Sequence, residues 1–115
     1  MLIHRRKFDV RIFALVTSIN GIIKAYYYED GYLRTSCKEF SLANLANRMI
    51  HLTNDAVQKK CDEYGKFESG NKMSYQEFQK YLDQYFPDLG VSVQNDLLPQ
   101  TRVSCSLQTL IEIDN

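Results

Sequence analysis

Residues 6–37, RKFDVRIFALVTSINGIIKAYYYEDGYLRTSC, decide the fold. FDVRIFALVTSI (8–19) opens with alternation and becomes continuously apolar, with β-branched Val10, Ile12, Val16 and Ile19. That pattern predicts a strand whose second half is buried on both faces. Asn20-Gly21 follows. Asn-Gly between apolar runs is a strong hairpin signal, because a type I′ turn needs positive φ at both central positions. IIKAYYYE (22–29) is the return strand. Asp30-Gly31 offers a second turn of the same kind, leading into YLRTSC (32–37). The expectation is a three-stranded antiparallel meander.

Outward from the meander, the pattern changes to helices. Ser41 is a candidate N-cap for a short helix over 42–48. His51 to Asn54 reads as loop, 55–60 as a helical turn and CDEYGKFESGNK (61–72) as an exposed loop. Ser74 stands three residues before Glu77, the spacing of a capping box. Behind it Phe78, Tyr81, Leu82 and Tyr85 share one helical face. The helix must stop before Pro87, since the residue preceding proline is pushed out of the α region. A last helix is expected from near Asp96, with Pro99 in its first turn and Leu97, Val103, Leu107 and Leu110 on a looser apolar stripe. The class is α+β: an antiparallel sheet followed by helices.

The chain has 115 residues, net charge +0 and 44% hydrophobic residues, which suits one ordered domain. Neutral balance gives no long-range pull toward nucleic acid or anionic membrane. No run approaches the ~20 apolar residues of a membrane span, and no apolar segment of signal-peptide type follows the charged start. Cys37, Cys61 and Cys105 are too far apart, with His4 and His51 equally scattered, to give zinc-ligand spacing. Reduced thiols in a cytosolic protein are the plain reading.

Chemistry can sit in two places. On a strand, i, i+2 and i+4 share a face, so Lys7, Asp9 and Arg11 form a charged row. Arg34 can reach that row from the same sheet. Three cations around one carboxylate suit a polyanion such as a nucleotide phosphate, with lysine as point charge and arginine as fork. A solvated face with cross-strand ion pairs, each under ~1 kcal/mol, is the plainer account. The basic residues Arg5, Arg6, Lys7 and Arg11 also cluster locally. The second place is His51-Leu52-Thr53-Asn54, where imidazole, hydroxyl and amide could grip a ligand or simply make turn hydrogen bonds. Tyr26-Tyr27-Tyr28 does not form a stacking platform, because Tyr27 faces away from its neighbours. Cys61 has no His/Asn pair at catalytic spacing, and no P-loop, GxSxG or HExxH occurs.

Taken together, RKFDVR (6–11), LVTS (15–18), YLRTS (32–36), HLTN (51–54) with AVQKK (56–60), YGKFESGNKMSYQEFQKYL (64–82) and, more faintly, LLPQ (97–100) resemble the tubulin–tyrosine ligase family. The match is best over 6–82 and weaker over 83–115. The resemblance implies the central portion of an ATP-grasp-like catalytic domain, so that residues 1–115 are a partial domain, inactive alone. It implies an ATP-dependent ligase that adds tyrosine, glutamate or glycine to tubulin C-terminal tails through an acylphosphate. In the family, residues matching Lys7 and Asp9 line the ATP site, the residue matching Arg11 lies among phosphate and acceptor contacts, and that matching Arg34 contacts the amino acid or acceptor. The loop matching His51, Leu52, Thr53 and Asn54 reaches the nucleotide. Implied cofactors are ATP and magnesium; implied partners are the tubulin tail and a free amino acid, with neither nucleic acid nor membrane. The implied location is cytoplasmic, at microtubules or cilia. Family members carry magnesium ligands further downstream, an aspartate and then a Glu-x-Asn motif. Leu110 to Asn115 resembles the latter only superficially, so no metal ligand is assigned here. The alternative is a non-catalytic tubulin-binding or interaction module from a truncated paralogue.

Overall fold

The computed structural model of the protein describes residues 1–113, with side chains through Cys105. The side chains of the expected stripe positions Leu107 and Leu110, and of the rest of the Leu110–Asn115 stretch, lie outside that description. The chain forms two compact units. The first comprises Met1–Arg11 and Tyr32–Ser74; the second comprises Ile12–Gly31 and the chain from Tyr75 on.

The first strand, β1, runs Arg6–Ile19, and β2 runs Ile22–Glu39. Asn20 (φ 51°) and Gly21 (φ 77°) take the two positive φ values that the hairpin turn requires. The third strand, β3, is Lys72–Ser74, and the sheet order is β1-β2-β3. β3 runs antiparallel to β2, with Tyr32 opposite Ser74, Leu33 opposite Met73 and Arg34 opposite Lys72.

The fold class is therefore as expected, an antiparallel three-stranded sheet followed by helices, but the third strand is not the expected one. Asp30 and Gly31 do not turn; β2 runs extended through them. A turn there would remove residues 32–39 from the start of β1. In place, the Lys7 amide donates to Ser36 Oγ at 3.1 Å and the Phe40 amide to the Arg5 carbonyl at 2.8 Å. Leu33, Thr35, Ser36 and Cys37 are all buried by this arrangement. Tertiary pairing outweighs the local turn preference.

A second correction concerns the hairpin end, expected to be buried on both faces. Leu15 is 61% and Ile19 71% exposed, and Val16, Ile22 and Tyr28 are also open to solvent. Apolar strand composition reports a face suited to being covered; it does not supply the cover.

Helix starts differ in one place. Ser41 Oγ accepts from the Ala43 amide at 3.2 Å in a turn, and the helix α1 begins only at Arg48, running Arg48–His51. Its cap is Asn47, whose Oδ1 accepts from the Met49 amide at 3.0 Å. Leu42 and Leu45 stay exposed, so no apolar face supports a longer helix there. His51 thus ends a helix instead of opening a loop. The turn α2, Asp55–Gln58, matches the expectation. Residues 61–72 are not uniformly exposed: Cys61 and Asn71 are buried. Asn71 Oδ1 accepts from the Gly65 amide at 2.7 Å, and its Nδ2 donates to the Thr35 carbonyl at 3.0 Å, tying the loop to β2.

In the second unit, α3 (Tyr75–Tyr85) begins directly after Ser74 and buries Tyr75, Phe78, Tyr81 and Leu82. Tyr85, placed on the same face by spacing, is half-exposed and lies against Tyr81 with ring centroids 4.8 Å apart. A 3-10 turn over Pro87–Leu89 follows, as proline demands. A π turn over Val93–Leu97 leads into α4, Leu98–Ile113, with Pro99 in its first turn. No helix among the described residues is long and apolar enough to cross a membrane.

Candidate functional site

Three elements of the first unit converge on Asp9. Asp9 stands on β1, Arg34 on the neighbouring β2 and Thr53 in the loop after α1. Arg34 donates from Nε to Asp9 Oδ1 at 2.9 Å and from Nη2 to Oδ2 at 2.7 Å, a bidentate fork. The buried Thr53 hydroxyl also donates to Oδ2. Partial burial pushes the Asp9 carboxyl up. Hydrogen bonds from Arg34 and Thr53, with the charges of Arg34 and Arg11, outweigh it and hold the group below the ordinary aspartate value. Hydrogen bonding to Asp9 raises Arg34 in turn, against partial burial that acts to lower it.

The other expected residues arrange around this centre. Lys7 Nζ donates to the His51 carbonyl at 2.8 Å, pinning the end of α1 to β1. The His51 ring faces its own segment, with Nε2 at 3.0 Å from the Asn44 carbonyl and the ring edge-on to Phe40 at 5.7 Å. Arg11 is exposed, and its charge acts on Asp9. Leu52 contributes its carbonyl, which accepts from Gln58 Nε2. The Asn54 carbonyl accepts the Val57 and Gln58 amides at 2.9 Å each, and its side chain is exposed. Of the eight residues, the structure joins Asp9, Arg34 and Thr53 directly. It attaches Lys7 to them through the loop backbone and turns the His51 ring elsewhere.

Sequence reading missed the supports. Gln58 is fully buried; its Nε2 donates to the Leu52 and Met49 carbonyls, and its Oε1 accepts from the Cys37 amide at 2.8 Å. One side chain thus fixes the 52–54 loop relative to β2. Arg6 is also buried. Its Nη1 donates to Glu68 Oε2 at 2.9 Å and to the Ser36 carbonyl at 3.2 Å, its Nη2 pairs with Glu68 Oε1, and Phe67 lies 4.2 Å from the guanidinium carbon. Arg5 pairs with Glu39 at 3.3 Å. The expected basic cluster is therefore divided: Arg6 is interior and already paired. A signal existed, since period two puts Arg6 on the face of Phe8 and Val10, where a charge needs a buried partner.

The site's charge balance, two arginines and a lysine against one carboxylate, suits a polyphosphate. Magnesium does not fit as well. Among the described residues no group of three His, Cys, Asp or Glu could hold a metal, and both Asp9 oxygens already accept hydrogen bonds.

A family model described as the tubulin-tyrosine ligase family matches residues 1–113. The chain belongs to that family. Similar proteins include a probable alpha-tubulin polyglutamylase, Ttll1, of Tetrahymena thermophila, 40% identical over 88 residues, covering 75% of this chain and 21% of that protein. Tubulin glycylase 3D of the same organism is 37% identical over 85 residues, covering 71% and 8%. Human tubulin polyglutamylase TTLL5 is 34% identical over 117 residues, covering 93% and 9%. The chain spans 8% to 21% of the length of these three relatives. The family is ATP-grasp-like, and the sheet and helices described above are a portion of such a fold.

Proposed function

We propose that the chain is part of an ATP-dependent ligase that adds an amino acid to tubulin C-terminal tails. Its family and the names of its relatives, polyglutamylases and glycylases, support the reaction class. The observation that carries the site is the Asp9–Arg34–Thr53 junction, with the 51–54 loop held over the same sheet by Lys7 and Gln58. ATP, when bound, supplies phosphoryl activation of a tail carboxylate. Lys7, Asp9 and the backbone of residues 51–54 hold the nucleotide on this reading. Arg34 and Arg11 present positive charge to the phosphates and the acceptor, where charge develops in the transition state. Asp9 keeps the Arg34 fork in one orientation. The metal is held by residues outside the described set. The setting is the cytoplasm, with microtubules.

The test is a chimaera in which residues 1–113 replace the matching segment of the Tetrahymena polyglutamylase. It is supplied with tubulin, ATP and labelled glutamate, glycine or tyrosine. ATP-dependent labelling is expected, falling about 100-fold in Arg34→Ala, the scale of losing one preorganised donor. Full labelling in both Arg34→Ala and Lys7→Ala sinks the site assignment. A chimaera that binds tubulin and labels nothing favours the non-catalytic module. The 115-residue chain alone is expected to bind ATP more weakly than ~1 mM by calorimetry.

A further inference from the structure

β2 lies between β1 and β3, so Arg34 has a neighbour on each side within the first unit. On the β1 side Asp9 takes Arg34 Nε and Nη2, and Nη1 has no acceptor among the described residues. On the β3 side stands Lys72, directly opposite Arg34 in the ladder. Residues directly opposite in an antiparallel pair share a face, with Cβ atoms about 5 Å apart. Lys72 is exposed, and the next residue, Met73, is buried on the other face. Lys72 Nζ lies 5.7 Å from the centre of the Tyr32 ring, which holds the ammonium against β2. None of the ion pairs among the described residues uses it. Asp55, on which the Lys72 charge acts, is already held by Lys59 Nζ at 2.7 Å and by the Tyr64 hydroxyl. Like charges directly opposite each other destabilise a ladder, and an anion between them removes the repulsion.

We propose that Lys72 and Arg34 Nη1 form a carboxylate-binding position on the β3 side of the site, which holds a substrate carboxylate while the nucleotide occupies the β1 side. The two sides differ in what they offer. Lys7 and Asp9 stand on β1, and the 51–54 loop is tied to β1 through the Lys7–His51 and Thr53–Asp9 hydrogen bonds. Lys72 is separated from them by β2. One guanidinium N–H and one ammonium, side by side, match the two oxygens of a carboxylate, each making a charge-assisted hydrogen bond. The proposed ligation has two substrate carboxylates, that of the incoming amino acid and that of the acceptor tail, and the chemistry of the position is the same for both. The choice of ligand rests on the ligase reading; the binding of a carboxylate does not.

The first test needs no catalysis. The full chain, labelled with nitrogen-15, is titrated with glutarate, and with sodium chloride at the same ionic strength as a screening control. Saturable shifts are expected at the Lys72 and Arg34 amides, kept in Lys72→Arg and about tenfold weaker in affinity in Lys72→Ala, the loss of one hydrogen bond to a charged group. Shifts no larger than those with chloride, or equal affinity in Lys72→Ala, overturn the proposal. The second test uses the chimaera described above. Lys72→Ala should raise KM about tenfold for the labelled amino acid or for tubulin and leave KM for ATP unchanged. Which of the two rises identifies the source of the carboxylate. A rise for ATP alone, or for neither substrate, overturns the proposal. A chimaera inactive before substitution counts against the ligase reading, and the glutarate titration then decides this one.

Discussion

Arg6 and Arg34 each grip a carboxylate with two guanidinium nitrogens, and both do so at the β1–β2 end of the first unit. The Arg6 side chain is 1% exposed, whereas that of Arg34 is 19% exposed against an Asp9 that is more open still. Arg6 is enclosed by Glu68, Thr35, Ser36 and Phe67. Arg34 is backed by Asp9 on one side and faces the row that carries Lys7 and Arg11. The same chemical pair therefore serves packing in one place and presents charge in the other. Desolvation makes the difference: the sequestered Arg6 takes the partners of Nη1 and Nη2 from the fold, with Nε buried and unpartnered among the described residues, while the partly exposed Arg34 can still meet a ligand.

The largest expected effect falls on the buried pair. Arg6→Ala leaves Glu68 an unpaired, nearly buried charge and should lower unfolding free energy by about 3–5 kcal/mol in urea titration. The double change Arg6→Met with Glu68→Leu should recover most of that, since removing both charges also removes their desolvation. A loss under ~1 kcal/mol for Arg6→Ala would erase the distinction.

Arg34→Ala should lower stability by under ~1 kcal/mol, as partly exposed pairs do. Its consequence belongs in the ligation assay of the chimaera. A large stability loss would move Arg34 into the structural class.

The pH dependence is smaller and has a definite sign. Asp9 titrates below its unfolded value, so its stabilisation is present above the unfolded pKa of about 3.9 and is lost as pH falls through the lower folded value. Melting temperature against pH should fall in that acid window for the natural chain. Asp9→Asn should melt lower at neutral pH and show a shallower acid decline. An unchanged profile would mean Asp9 contributes nothing by its charge.

The smallest effect is salt. In double-mutant cycles, the Arg34–Asp9 coupling should shrink by a few tenths of a kcal/mol at 1 M salt, where the screening length is ~3 Å. The Arg6–Glu68 coupling should hold. Equal sensitivity in both pairs would mean that Arg6 is solvated in solution.

Much of the local structure was legible. Asn20-Gly21 makes its turn because the backbone there needs two positive φ values, and few residue pairs accept them. The α3 face follows from its spacing, and the Lys7–Asp9–Arg11 row from strand alternation. The site was half legible. Arg34 was expected to reach Asp9 from a third strand and does so from β2, the direct neighbour of β1. Thr53 was named without its partner. Gln58 and Glu68 were not identified, because Cys37 and Arg6, which they hold, lie far along the chain and leave no local pattern; Arg6 was grouped with the basic cluster despite its apolar strand face.

By itself, the sequence determined what short-range sterics and periodicity dictate: the hairpin turn, the long helix, the charged strand face and the family motifs. Tertiary structure decided whether Asp30-Gly31 turns or continues, where the third strand comes from and which arginine is sealed inside. Those outcomes depend on competition between a local preference near 1 kcal/mol and many distant hydrogen bonds and buried contacts acting together. Such sums exist only once the chain has closed on itself.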